Sequence, residues 1–188
     1  MSAWADLRED FRRVSKPHRP PLKRLFYALS NYGFLAIAVY RFGRAVNAVR
    51  VPVLGTLLRI VYFLAKTLIE VLFGISIDVN SRIGPGFYIG HFGGIVIHGD
   101  LGRHCSVGQG VTIGSRGAGR SDGWPTLGDN VFVGAGAKII GRIRVGNDVV
   151  IGANAVVVKD VPDGMLAVGV PARLRPRGGA GAAQGTAQ

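Results

Sequence analysis

The chain has 188 residues, 29 of them glycine, one cysteine and a formal net charge of +12. That length allows one domain, or one domain with a small appendage, and a core of useful size. A lone cysteine excludes a disulfide framework and a cysteine-cluster zinc site, and glycine does not recur at every third position as a collagen-like repeat requires.

Both glycine and charge are unevenly placed. Residues 1–73 hold only Gly33, Gly43 and Gly55, so the other 26 glycines lie in residues 74–188. Residues 1–70 carry twelve Lys or Arg against four Asp or Glu, a net +8. A basic, apolar front half fits a nucleic-acid binder, a membrane-surface segment or a helical face beside an anionic ligand. No nucleic-acid-binding motif accompanies the charge, so nucleic acid is not expected as a partner. The first twenty residues are charged and lack the apolar stretch of a secretory signal. A cytoplasmic location is therefore expected, or a peripheral one at the inner face of the membrane.

The front segment, residues 1–73, reads as helical. Its first part is polar, and Lys16-Pro17-His18-Arg19-Pro20-Pro21 interrupts any helix there. From Leu25 to Phe73 the chain turns apolar, with Arg41, Arg44, Arg50, Arg59 and Lys66 spaced along it. Pro52 and Gly55 are expected to divide this stretch into two or three helices. No uncharged run approaches the roughly 20 residues of a spanning helix. Spaced cations on an apolar background predict amphipathic helices, packed on the rest of the protein or on sister subunits. The sharper alternative is an interfacial helix that attracts anionic lipid.

From Ile77 a period of six appears. Its first positions are Ile77, Ile83, Ile89, Ile95, Leu101, Val107 and Ile113, then, after a longer gap, Leu127, Val133, Ile139, Val145, Ile151 and Val157. All are aliphatic, and most are followed by glycine. Fourth positions are mainly Asn, Gly or Asp, which tolerate positive φ; His98 and His104 also fall there and read as corner residues. A short strand and a corner every six residues predict a solenoid of triangular section, with the aliphatics stacked along its axis. The gap between Ile113 and Leu127 leaves one extra loop. Cys105, at a position normally given to a small inward residue, reads as core. Residues 177–188 have no apolar pattern and are expected to be a disordered tail.

This pattern, over residues 74–176, resembles the left-handed β-helix acyltransferases built from hexapeptide repeats. Within that class the chain is most similar to serine acetyltransferase and its relatives. The carrying residues are Gly90-His91-Phe92-Gly93-Gly94-Ile95-Val96-Ile97, the loop after Ile113, Val133-Gly134-Ala135-Gly136-Ala137-Lys138, and Gly169-Val170-Pro171-Ala172-Arg173. The resemblance implies a mainly β fold behind an N-terminal α-helical segment. It also implies acetyl-CoA as acyl donor without a metal, and a homotrimer or a dimer of trimers with active sites in the grooves between subunits.

Acetyl transfer from a thioester to a hydroxyl needs a base for the hydroxyl proton and a channel for a long anionic donor. Of the four histidines, His91 falls in the segment that matches the family's catalytic stretch and is the candidate base. The acid that partners this histidine in the family lies fifteen residues earlier, at Ser76 here. Asp78 is the candidate replacement. A second histidine, which meets serine from the long loop in the family, corresponds to Trp124. Ser76 and Trp124 are thus the expected substrate-side positions, and their departure from the family points away from free serine. An aromatic ring at the mouth suits a sugar, and transferases that modify exopolysaccharide units look like this. On the donor side the resemblance gives Ala135 and Ala153 beside the pantetheine arm, and Lys159, Arg173 and Arg175 near the phosphates.

The expectation is therefore an acetyl-CoA-dependent O-acetyltransferase acting on a saccharide hydroxyl. The first alternative is serine O-acetyltransferase of cysteine biosynthesis. From other classes come a trimeric zinc carbonic anhydrase-like protein, drawing on His91, His98 and His104, and a non-catalytic scaffold.

Overall fold

The computed structural model describes residues 3–15, 20–117 and 123–177. His18, the middle of the long loop and the tail beyond Arg177 lie outside the described residues.

Among the described residues four helices come first: α1 (Ala3–Val14), α2 (Pro21–Leu29), α3 (Tyr32–Val46) and α4 (Pro52–Phe73). Pro21 and Pro52 each stand at a helix start, where the missing N–H has no intrahelical partner to lose. Asn31 caps α3 by accepting the Phe34 N–H at 2.8 Å. Gly55 does not divide α4 as its sequence suggested. It is buried in the second turn of one continuous helix, which ends at Gly74 in the left-handed conformation. Nor is α4 amphipathic in the usual sense: only Gly55 and Ile69 are fully buried, and Val53, Leu57, Phe63, Leu64 and Val71 face outward. No described helix is long and apolar enough to cross a membrane.

The strands that follow wind a three-faced parallel coil. The first face is β1 (Ile75–Ile77), β3 (Ile95–Ile97), β6 (Thr112–Gly114), β9 (Lys138–Ile140) and β12 (Val156–Val157). The second is β4 (Asp100–Leu101), β7 (Thr126–Leu127) and β10 (Arg144–Val145). The third is β2 (Tyr88–Ile89), β5 (Ser106–Val107), β8 (Phe132–Val133), β11 (Val150–Ile151) and β13 (Met165–Val168), with β14 (Arg173–Pro176) folding back antiparallel on β13.

The inward aliphatics stack in columns, and every repeat position expected to be inward is buried. Glycine follows many of them because successive coils touch there. A Cβ on Gly84 would come within 2.7 Å of the Gly102 backbone, and one on Gly102 within 2.6 Å of Gly128. Positive φ occurs at Gly86, His104, Gly110, Asn130, Gly136, Asp148 and Asn154. It does not occur at His98, which corrects the reading of that residue as a left-handed corner.

The register also differs from a strict period of six. Ile97, not Ile95, stacks between Ile77 and Ile113, while Ile95 pairs with Ile75. The chain therefore gains two residues at the corner 90–94 and loses two between Ile97 and Leu101. The two irregularities cancel in the sequence, so the period continues unbroken while the structure shifts.

The helices close the open end of the coil, whose unpaired backbone would otherwise be an exposed edge. Arg41 Nε donates to Asp10 Oδ2 at 2.9 Å, and its other nitrogens donate to the Ile83 carbonyl at 2.6 Å and the Gly84 carbonyl at 2.7 Å. Asp10 accepts the Phe87 N–H at 2.8 Å. Burial pushes the Asp10 carboxyl above its ordinary range, with Arg41 pulling the other way. The Tyr40 hydroxyl donates to the Ser81 carbonyl at 2.6 Å, and Arg13 donates to the carbonyls of Gly86 and Cys105.

Candidate active site

The three faces meet at three edges. The first edge, between the third and first faces, carries His91. Its corner, residues 90–94, turns through Gly93 and Gly94, both at positive φ, which a side chain would strain. The Phe92 ring packs edge-on against Tyr32 at 5.0 Å and Phe73 at 6.4 Å, and those two rings lie 4.7 Å apart. Helices α3 and α4 thus hold the corner, and the Gly93 N–H donates to the Phe73 carbonyl at 2.9 Å. The adjacent His91 is exposed and has no hydrogen bond or ion pair among the described residues.

The same edge continues to Ala135 and Ala153. Gly110 N–H donates to the Gly93 carbonyl, Gly136 N–H to the Gln109 carbonyl, and Asn154 N–H to the Ala135 carbonyl, all at 2.7–2.8 Å. Ala135 and Ala153 are stacked in successive coils on one line with His91. Their methyl groups leave the backbone approachable, which fits a long, thin donor arm. Lys138 beside this line is already committed: its Nζ donates to the Gly110 carbonyl at 2.6 Å and to Thr112 Oγ1 at 3.1 Å.

The other cations sit on the last coil. Arg173 and Arg175 are exposed on β14, paired in register with Val168 and Leu166. Lys159 follows the last strand of the first face and lines a hollow of about 180 Å³ with Pro171, Ala172 and Leu174. The two arginines share one strand, and Lys159 shares its hollow with Leu174 of that strand.

Asp78 is not placed as a partner for His91. The residue follows Ile77 at the second edge, at the far end of the first face, and its carboxylate lies in ion-pair contact with Nε2 of His98. The two stack because each directly follows an inward isoleucine, Ile77 or Ile97, in adjacent coils. Asp78 N–H donates to the Ile97 carbonyl at 2.9 Å, and His98 N–H to the Ile113 carbonyl at 2.8 Å. Trp124, where the long loop returns, lies parallel to the His98 ring at 4.7 Å and 9°. The sequence names His98 as a corner residue and as one of three histidines of the metal alternative, not as a partner of Asp78 or Trp124. The signal was there in the four-residue step from Ile97 to Leu101, which brings His98 over Asp78.

Ser76 sits on the first face, and its hydroxyl donates to Glu70 Oε1 at 2.6 Å. Glu70 also pairs with Lys66 at 3.2 Å. At the family's acid position the strand carries a hydroxyl, and helix α4 brings a carboxylate to it. The sequence reading missed Glu70 because a helix–strand contact leaves no periodic trace.

His91, His98 and His104 stand at three different edges. The carbonic anhydrase-like alternative needs them around one metal, and within one chain they do not converge. Cys105 is buried, its Sγ is 3.2 Å from the Gly128 carbonyl, and burial pushes its thiol up to about 11.

The bacterial transferase hexapeptide (six repeats) family model matches residues 125–159. The serine acetyltransferase of Synechococcus elongatus is 37% identical over 175 residues, which cover 92% of this chain and 69% of that protein. The solved structure of Neisseria gonorrhoeae serine acetyltransferase in complex with serine superposes with a TM-score of 0.76 at 28% identity, covering 92% of this chain and 69% of that one. A serine acetyltransferase solved in complex with CoA gives a TM-score of 0.69 at 32% identity, with coverage of 92% and 69%. A three-faced coil behind four helices, a histidine on an edge of small residues, and this similarity across both parts agree. The chain belongs to the serine acetyltransferase family, left-handed β-helix acyltransferases that use acetyl-CoA.

Proposed function

We propose that the chain transfers the acetyl group of acetyl-CoA to the hydroxyl of serine, with His91 as general base. One observation carries this reading: His91 shares an edge with Ala135 and Ala153, so acceptor chemistry and donor binding fall on one line. The saccharide reading rested on the front helices, the lost serine-site positions and an aromatic Trp124, and His98 covers one face of that ring. The relatives favour serine as well.

His91 takes the serine hydroxyl proton as the oxygen attacks the thioester carbonyl, and returns a proton to the sulfur as the C–S bond breaks. A neutral imidazole suits both transfers. The donor supplies an activated acetyl group; Ala135 and Ala153 lie beside its arm, and Arg173, Arg175 and Lys159 meet its phosphates. Glu70, through Ser76, is the carboxylate on the acid side of the site. His91 and Trp124 lie at opposite ends of the first face in one chain. A homotrimer, with the edge of one protomer against that of the next, brings both to one groove.

Purified protein should acetylate serine with acetyl-CoA, and His91→Ala should lower kcat by about 10²–10⁴-fold. Near-normal turnover by that variant would remove His91 from the role. Turnover of sugars without serine would overturn the acceptor. Light scattering that gave a monomer with full activity would overturn the trimer.

A further inference from the structure

The second edge holds a group of side chains that the base and the donor line do not use. His98 is oriented twice, by the Asp78 carboxylate at Nε2 and by the Trp124 ring against its face. Its side chain nonetheless remains 46% exposed. An imidazole held by a carboxylate on one nitrogen and left open on the other is built to meet a ligand. With Nε2 against the Asp78 carboxylate, Nδ1 is the ring nitrogen left to meet a ligand.

The surroundings say which kind. A cleft of about 320 Å³ beside His98 is lined by Lys66, Ser76, Asp78 and Tyr62. A cation and a hydroxyl, both bonded to Glu70, stand there with a carboxylate and an imidazole, a mix of charge that complements a zwitterion better than a neutral ring. The Trp124 ring, from the returning long loop, lies flat against the His98 ring, which comes from a different element. Only the two-residue shortening after Ile97 brings it there.

We propose that His98 is an acceptor-binding residue, accepting a hydrogen bond from the ammonium or hydroxyl of an amino acid, and that Asp78 and Trp124 are its positioning residues. This rests on the serine acetyltransferase reading of the site.

The test uses the full chain and two readouts. In steady-state assays His98→Ala should raise KM for serine about tenfold or more with KM for acetyl-CoA unchanged. Asp78→Asn should move KM for serine in the same direction by less. In a Trp4→Phe background, where Trp124 is the remaining tryptophan, serine should change the fluorescence of the parent and leave the His98→Ala variant unchanged. An unaltered KM for serine together with an intact fluorescence response in His98→Ala would overturn the proposal while leaving the family reading in place. Absence of serine acetylation by the parent protein would instead overturn the reading on which the proposal rests.

Discussion

The first and second edges of the β-helix solve different problems with the same repeat. The first is widened by two residues, built from Gly93, Gly94, Gly110 and Ala135, and pinned by a cluster of aromatic rings. The second is shortened by two residues and carries charge, with Asp78, His98 and Trp124 in contact. Small residues keep the backbone accessible on one side, while a short corner forces polar side chains together on the other. The lesson is that a solenoid can acquire two chemically distinct margins through paired changes of corner length, without disturbing the inward columns.

Substitutions at each edge test this contrast. The largest effect is expected where both edges depend on one support. Arg41→Ala leaves Asp10 buried without its partner and two carbonyls of the first coil unsatisfied. It should cost about 3–5 kcal/mol of stability, read by chemical denaturation, and should degrade both edges together. Unchanged stability would show that the helices do not hold the coil's open end.

Ala153→Phe should damage only the first edge. An added ring on the donor line should raise KM for acetyl-CoA about tenfold while leaving KM for serine alone. Equal changes in both would contradict the division of labour between the edges. Phe92→Ala should act on the same edge more gently. Losing its ring contacts removes about 0.5–1.5 kcal/mol beyond the lost burial, and kcat should fall several-fold as the His91 corner loosens. A kcat equal to that of the parent would show that the rings do not position the histidine.

The third edge supplies a silent control. Because burial raises the Cys105 thiol to about 11, the protonated form prevails at neutral pH in the folded protein. Thiol reagents at pH 7–8 should react with native protein far more slowly than with unfolded protein, and activity should be unchanged by them. Rapid native labelling would place Cys105 nearer the surface than its packing indicates.

Much of the fold was legible in the sequence. A period of six in aliphatic residues is a local pattern that only a stacked coil satisfies, and the inward positions followed from it directly. His91, Ala135 and Ala153 were named from the family resemblance, and the register between coils sets the three along one edge. The acceptor side was not legible. Asp78 reads as a stand-in acid for His91 by its sequence position, yet the face between them separates the two and hands Asp78 to His98. Trp124 reads as an open platform, yet His98 covers one of its faces. Glu70 reaches Ser76 from a helix whose period has no relation to the coil.

The architecture of the coil follows from the hexapeptide repeat alone, since the repeat encodes which side chains turn inward. Tertiary structure alone decided which polar groups meet. Two corner changes of opposite sign leave the sequence period intact and move His98 over Asp78, a shift that only the hydrogen-bonded register between coils can reveal.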